Sequence, residues 1–128
     1  MKVLFSPSEA KSYFTDSCAL YSGSFMFPEL LDKRLDVLNK LNTFLSNCDT
    51  DKLEKFFGIK NKTECLKLSK LDLTYSSTCK AIQRYIGTAY KYLEFETLST
   101  SQQHWILDNT IIFSNLFGPI LAKYIYYM

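Results

Sequence analysis

The sequence predicts a mixed α+β fold: helices packed on a small sheet, with strands near residues 2–6 and 110–115 and a helical hairpin near 50–71. Three observations predict it. Two short β-rich apolar runs, Val3-Leu4-Phe5 and Thr110-Ile111-Ile112-Phe113-Ser114, stand near opposite ends of the chain, and runs this brief fit strands better than helices. Between them, apolar residues recur at helical spacing. The 128 residues, 47% hydrophobic and 16% aromatic, suit one domain spanning 1–128 with a real core and exclude a disordered chain.

Taken in order, Val3-Leu4-Phe5, halted by Ser6-Pro7, reads as a central, buried strand. Ser8 to Ser24 has the composition of a loop, and a loop of that length is either mobile or functional. Phe25-Met26-Phe27-Pro28 introduces the longest helix, with proline in its first turn. Leu30, Leu31, Leu35, Leu38, Leu41, Phe44 and Leu45 share one face, and the opposite face is charged and solvated. Thr50 then caps a helix carrying Leu53, Phe56 and Phe57, and Gly58 closes it so that Ile59 folds back onto the apolar face. Asn61 or Thr63 caps the next helix, whose inward stripe is Cys65, Leu66, Leu68 and Leu71.

Ser76-Ser77-Thr78 offers capping hydroxyls for a helix holding Ala81, Ile82, Tyr85 and Ile86, and Gly87 breaks it. Thr88 to Leu93 resumes as a short helix or turn. Ser99 or Thr100 starts another, with Gln102 in its first turn and Trp105, Ile106 and Leu107 to bury. The second strand is bounded by a turn at Gly118-Pro119.

The net charge of +2 conceals a segregation. Lys52 to Lys91 holds nine Lys/Arg against three acids, net +6, whereas the remainder holds six against ten, net −4. Such a section is a footprint for a polyanion if the fold gathers it on one face. Cys18, Cys48, Cys65 and Cys79 lie 30, 17 and 14 residues apart, which is neither a zinc spacing nor a disulfide framework, so reduced thiols are expected. His104 is the sole histidine, leaving no His-based metal pair and no matched triad. No metal, no cofactor and a non-enzymatic role are therefore expected. The apolar Ile111–Met128 stretch is interrupted by Asn115, Gly118-Pro119 and Lys123, so no membrane partner is expected.

Two stretches are candidates for function. The order apolar helix, Gly-Ile turn, polar cap, apolar helix across Leu53–Lys70 resembles the helix-hairpin-helix DNA-binding motif. In that motif backbone N–H groups and a helix dipole hold a phosphate without reading a base. The candidate residues are Gly58, Ile59, Lys60, Asn61 and Lys62 at the bend, with Lys67 and Lys70 beyond it. Lys60 stands where the motif usually has a second glycine, and the same pattern also describes an ordinary hairpin with solvated lysines. The other stretch is Ser6, Ser8 and Lys11 directly after the first strand, where a small ligand or a substrate could meet the carboxyl edge of a sheet; a lysine there can equally be merely solvated.

Four stretches then fall into register: Val3 to Lys11, Ser24 to Leu30, Tyr85 to Tyr90 with Leu93, and Ile112 to Ile120. In this order and spacing they resemble the amino-terminal half of the bacterial YaaA family, cytoplasmic proteins associated with peroxide stress. The resemblance implies an α/β-type domain that binds DNA, double-stranded or locally opened, through a helix-hairpin-helix at Phe57 to Thr63. It also implies protection where peroxide and loose iron would do damage. Family members continue well beyond this chain, and Leu121–Met128 departs from their pattern as a divergent tail. A truncated or frameshifted product is expected on that ground, with an open sheet edge that favours self-association; a nonfunctional fragment is a third reading.

Overall fold

The computed structural model describes residues 1–126; Tyr127 and Met128, the end of the 121–128 tail, lie outside the described residues. β1 (Val3–Phe5) runs parallel to β3 (Thr110–Ser114), and β3 pairs antiparallel with β4 (Gly118–Leu121), giving a sheet of order β1-β3-β4. With six α-helices among the described residues, this is the α+β fold that the sequence predicts. One detail differs: β1 is an edge strand, and its outward Leu4 is 66% exposed. β3 holds the centre, where Ile112 and its cross-strand partner Ile120 are buried.

The reversal between β3 and β4 is also displaced from its expected place. It is made by 115–117, where Ser114 Oγ accepts the N–H groups of Leu116 (3.3 Å) and Phe117 (3.2 Å). Gly118, at φ 73°, and Pro119 already belong to β4. A proline is tolerated there because β4 is an edge of this sheet. Past β4 the chain is integrated: Ala122 is buried, and its carbonyl and that of Tyr124 accept the N–H groups of Ile82 and Ala81. β5 (Ile125–Tyr126) then pairs antiparallel with β2 (Cys79–Lys80).

A 3-10 turn at Pro28–Leu30 leads into α1 (Leu31–Ser46). Leu38 and Leu45 are fully buried as the periodicity requires, while Phe44 remains half exposed. Arg34 breaks the expectation of a wholly solvated charged face, since it is only 7% exposed. Its Nη1 donates to the carbonyls of Met26 (2.8 Å) and Phe27 (3.0 Å), and its Nε donates to the carbonyl of Phe117 (3.1 Å). The guanidinium also lies 4.8 Å from the centroid of the Phe25 ring, which packs on Phe117.

The segment 8–24 is not loose. Ile86 N–H donates to Ala10 O (3.0 Å), Ser12 N–H to Arg84 O (2.7 Å), and Thr78 N–H to Ser17 O (3.2 Å), so it runs antiparallel beside 78–86. Thr78, expected as a helix cap, instead sends its hydroxyl to Cys18 O (2.5 Å). The helix that follows is a single turn, α4 (Ala81–Arg84). α5 (Thr88–Leu93) and α6 (Thr100–Asn109) stand where expected, and α6 opens on a Ser99–Gln102 capping box. Ile106 and Leu107 pack on the core, but Trp105 stays 43% exposed.

Arg34 serves three carbonyls at once, of which Phe27 O also accepts Leu30 N–H (2.9 Å), so removing its fork takes one donor from each. Arg34→Met is expected to lower unfolding free energy by about 2–3 kcal/mol, read from the urea midpoint at unchanged m-value. A loss within ordinary surface-mutant scatter would show that the contact is dispensable.

Candidate nucleic-acid interface

The hairpin consists of α2 (Thr50–Phe57) and α3 (Lys62–Ser69). Asp49, not Thr50, caps α2, its Oδ1 accepting Lys52 N–H at 2.8 Å. Gly58 closes α2 at φ 67° and donates its N–H to Glu54 O at 2.9 Å. Gly58 is therefore needed for the bend but has no free amide to offer a phosphate. Ile59 folds back, as read, onto Leu45, Leu53 and Cys65. Asn61 caps α3, its Oδ1 accepting Glu64 N–H at 3.1 Å. Among the described residues no internal acceptor pairs with the N–H groups of Ile59, Lys60, Asn61 or Lys62.

The lysines do not all gather at this bend. Lys60 is exposed and has no ion pair among the described residues. Lys62 lies 3.3 Å from Asp51, with both side chains exposed. Lys67 shares a hollow with Tyr13, Asn61 and Glu64, whereas Lys70 sits elsewhere, beside Ser46, Cys48 and Asp72 near the end of α1. Leu66, placed on the inward stripe by its spacing, is 40% exposed; Cys65 alone is fully buried in α3. Tyr13, from a segment far away in sequence, bonds through its hydroxyl to the Glu64 carboxylate.

The Ser6–Lys11 turn is locked in place from the other side. Ser6 O accepts the Tyr90 hydroxyl (2.6 Å), and burial pushes that phenol well above its ordinary range. Ser8 Oγ donates to Ala10 O (2.7 Å) and accepts Gly87 N–H (3.1 Å). A Cβ on Gly87 would stand 2.5 Å from Ser8 Cβ, so glycine is required for that approach. Among the described residues Lys11 Nζ donates only to Glu9 O (3.2 Å), and it lies 5.8 Å from the Tyr85 ring centroid. Burial pushes the Lys11 ammonium down from the ordinary lysine range, and the Glu9 carboxylate opposes that shift.

The two candidate regions adjoin. A cavity of about 310 Å³ is lined by Lys11, Ser12 and Tyr13 on one side and by Phe57, Ile59 and Leu68 of the hairpin on the other, with Arg84 in its wall. Arg84 is buried, and its Nη1 donates to Ser12 O. Nothing local signals the antiparallel segment that covers it.

Among the described residues no helix is long and apolar enough to cross a membrane, and no group of three or more His, Cys, Asp or Glu could hold a metal. Fold and site together define an α+β domain that carries a basic helical hairpin beside the carboxyl ends of two parallel strands. The chain matches the family described as "Peroxide stress protein YaaA" over residues 1–125 and belongs to that family. This match extends beyond Ile120 into the described part of the tail. An uncharacterized protein of Campylobacter jejuni is 43% identical over 123 residues, covering 96% of this chain and 50% of that protein. A UPF0246 protein of Corynebacterium efficiens is 30% identical over 122 residues, covering 95% of this chain and 46% of its own. The chain spans about half the length of the curated relatives it matches.

The two glycines should fail for different reasons. Gly58→Ala meets no atom within 4 Å, so its expected cost is the left-handed backbone alone, about 1–2 kcal/mol. Gly87→Ala must displace Ser8, at about 1–3 kcal/mol. Ser8→Gly should recover most of the second loss and none of the first, as measured by urea unfolding of the single and double variants.

Proposed function

We propose that this chain is a DNA-holding portion of a cytoplasmic peroxide-stress protein, binding without regard to sequence through the α2–α3 hairpin. The observation that carries the proposal is the row of N–H groups at Ile59, Lys60, Asn61 and Lys62 without an internal acceptor among the described residues. They stand at the N-terminus of α3, where the helix dipole favours an anion. A phosphate oxygen placed there would take two or three of these donors, with the Lys60 ammonium beside them. Lys62 would exchange its exposed partner Asp51 for the phosphate, at a cost of less than about 1 kcal/mol. The net +6 section that contains the hairpin supports the same reading. No base edge is needed, so double-stranded and locally opened DNA would both serve.

Electrophoretic mobility shift against ionic strength tests this. With Lys60, Lys62 and Lys67 each neutralising one phosphate, log K should fall against log salt with a slope near about −2.7. Lys60→Glu with Lys62→Glu should abolish the shift, and Lys70→Glu, away from the bend, should leave it nearly intact. Salt-independent binding, or full binding by the double variant, would remove the hairpin from consideration.

A further inference from the structure

The parallel pair β1 and β3 delivers its two exit loops to one place. Beyond β1 come Pro7, Ser8, Glu9 and Lys11; beyond β3 come Asn115 and Leu116, after Ser114 at the strand's end. These residues line a cavity of about 560 Å³ whose remaining wall is Val37 and Leu41 of α1, Phe56 of α2, and Tyr85. The carboxyl edge of neighbouring parallel strands is where open sheets collect ligands. The volume and the mixture of an apolar wall with few polar groups are those of a small-molecule site.

The polar groups narrow the chemistry. Ser8 and Ser114 have their hydroxyls occupied within the fold. Asn115 has no side-chain bond among the described residues, and Lys11 spends one of its three N–H donors on a backbone carbonyl. No carboxylate lies within 4 Å of that ammonium among the described residues. Glu9 and Lys11 are both exposed and both line the cavity, but the Lys11 ammonium makes no ion pair with that carboxylate among the described residues and keeps donors for a ligand. Opposite it, Val37 and Phe56 remain 44% and 47% exposed, large apolar surface that a ligand body would cover. The turn that carries Lys11 is already held by Tyr90 and Gly87, so binding needs little ordering.

We propose that this cavity binds a small organic anion, a phosphate ester or a carboxylate on an aromatic or branched apolar body, its charge held by Lys11 and Asn115 and its body by Leu41, Val37 and Phe56. The free amides of Ile59 to Lys62 do not line the cavity, so this site stands apart from the DNA reading.

The test is NMR titration of the ¹⁵N-labelled chain with phenyl phosphate, benzoate and inorganic phosphate. Saturable shifts at Lys11, Asn115 and Phe56 with phenyl phosphate or benzoate are expected, and the tighter of the two identifies the anion. Inorganic phosphate should bind roughly tenfold or more weakly, because it lacks the apolar body. Lys11→Met should weaken the tighter probe by at least about tenfold, Lys11→Arg should retain it, and Lys60→Glu with Lys62→Glu should leave it unchanged. The proposal is overturned if neither organic probe saturates, if inorganic phosphate binds as well, or if folded Lys11→Met binds like the parent. Loss of binding in the hairpin double variant would also overturn it as a separate site.

Discussion

Three backbone carbonyls from two distant segments converge on the guanidinium of Arg34, and the placement of much else follows from that convergence. Met26 and Phe27 precede the long helix, and Phe117 lies in the reversal between β3 and β4. Phe27 O already accepts Leu30 N–H (2.9 Å), and the guanidinium adds a donor to it and to the other two, groups that are costly to leave short of hydrogen bonds when withdrawn from water. One planar fork satisfies all three, and its face is covered by the Phe25 ring. The contact also clarifies Phe27, a non-glycine residue at φ 56°, whose left-handed backbone is held where its carbonyl meets Arg34. With the start of α1 thus fastened to the 115–117 turn, Val37 and Leu41 are brought opposite Asn115 and Leu116, and the cavity between them exists.

A second junction does for the amino-terminal turn what Arg34 does for the helix. Ser8 and Gly87 approach so closely that no side chain fits at 87, and Tyr90 reaches Ser6 O while its ring meets Phe5 edge-on at 4.9 Å. The four stretches that resemble the YaaA family are the partners in these two junctions: 24–30 with 112–120, and 3–11 with 85–90. Their residues are constrained in pairs, which is why they stand out as patterns although none carries a recognisable chemistry of its own.

What could be read from the sequence divides along the same line. Features that a few neighbouring residues decide were legible: the closure at Gly58, the Asn61 cap, the capping box at Ser99 and Gln102, and both strands of the parallel pair. Where two adjacent residues could serve, as Asp49 and Thr50, the choice slipped by one. Features decided by partners far along the chain were not legible. A three-residue apolar run cannot reveal that β1 will have a neighbour on one side only, and a charged helix face does not reveal that Arg34 will meet a carbonyl 83 residues away. For the same reason the candidate site lacked Tyr13, Arg84 and Asn115: Tyr13 meets Glu64 across 51 residues, and Arg84 meets Ser12 across 72.

The electrostatics of the hairpin depend on these local placements more than on the total charge. At physiological salt, exposed charges act over about 8 Å, so the acids that matter at the bend are those beside it. Asp51 already engages Lys62, and Glu64 stands in the first turn of α3. A grip relying on ammonium groups alone would be blunted by these two carboxylates. Main-chain N–H groups are not neutralised in that way: they have no counter-ion to surrender, and they point where the fold of the bend directs them. On the proposed reading the amides of Ile59 to Lys62 would therefore set the geometry of an anion held at the bend, while Lys60 would contribute attraction and salt dependence. The same reasoning separates this place from the cavity at the strand ends, where a single ammonium shares the lining with apolar surface and would hold an anion mainly when a fitting body comes with it.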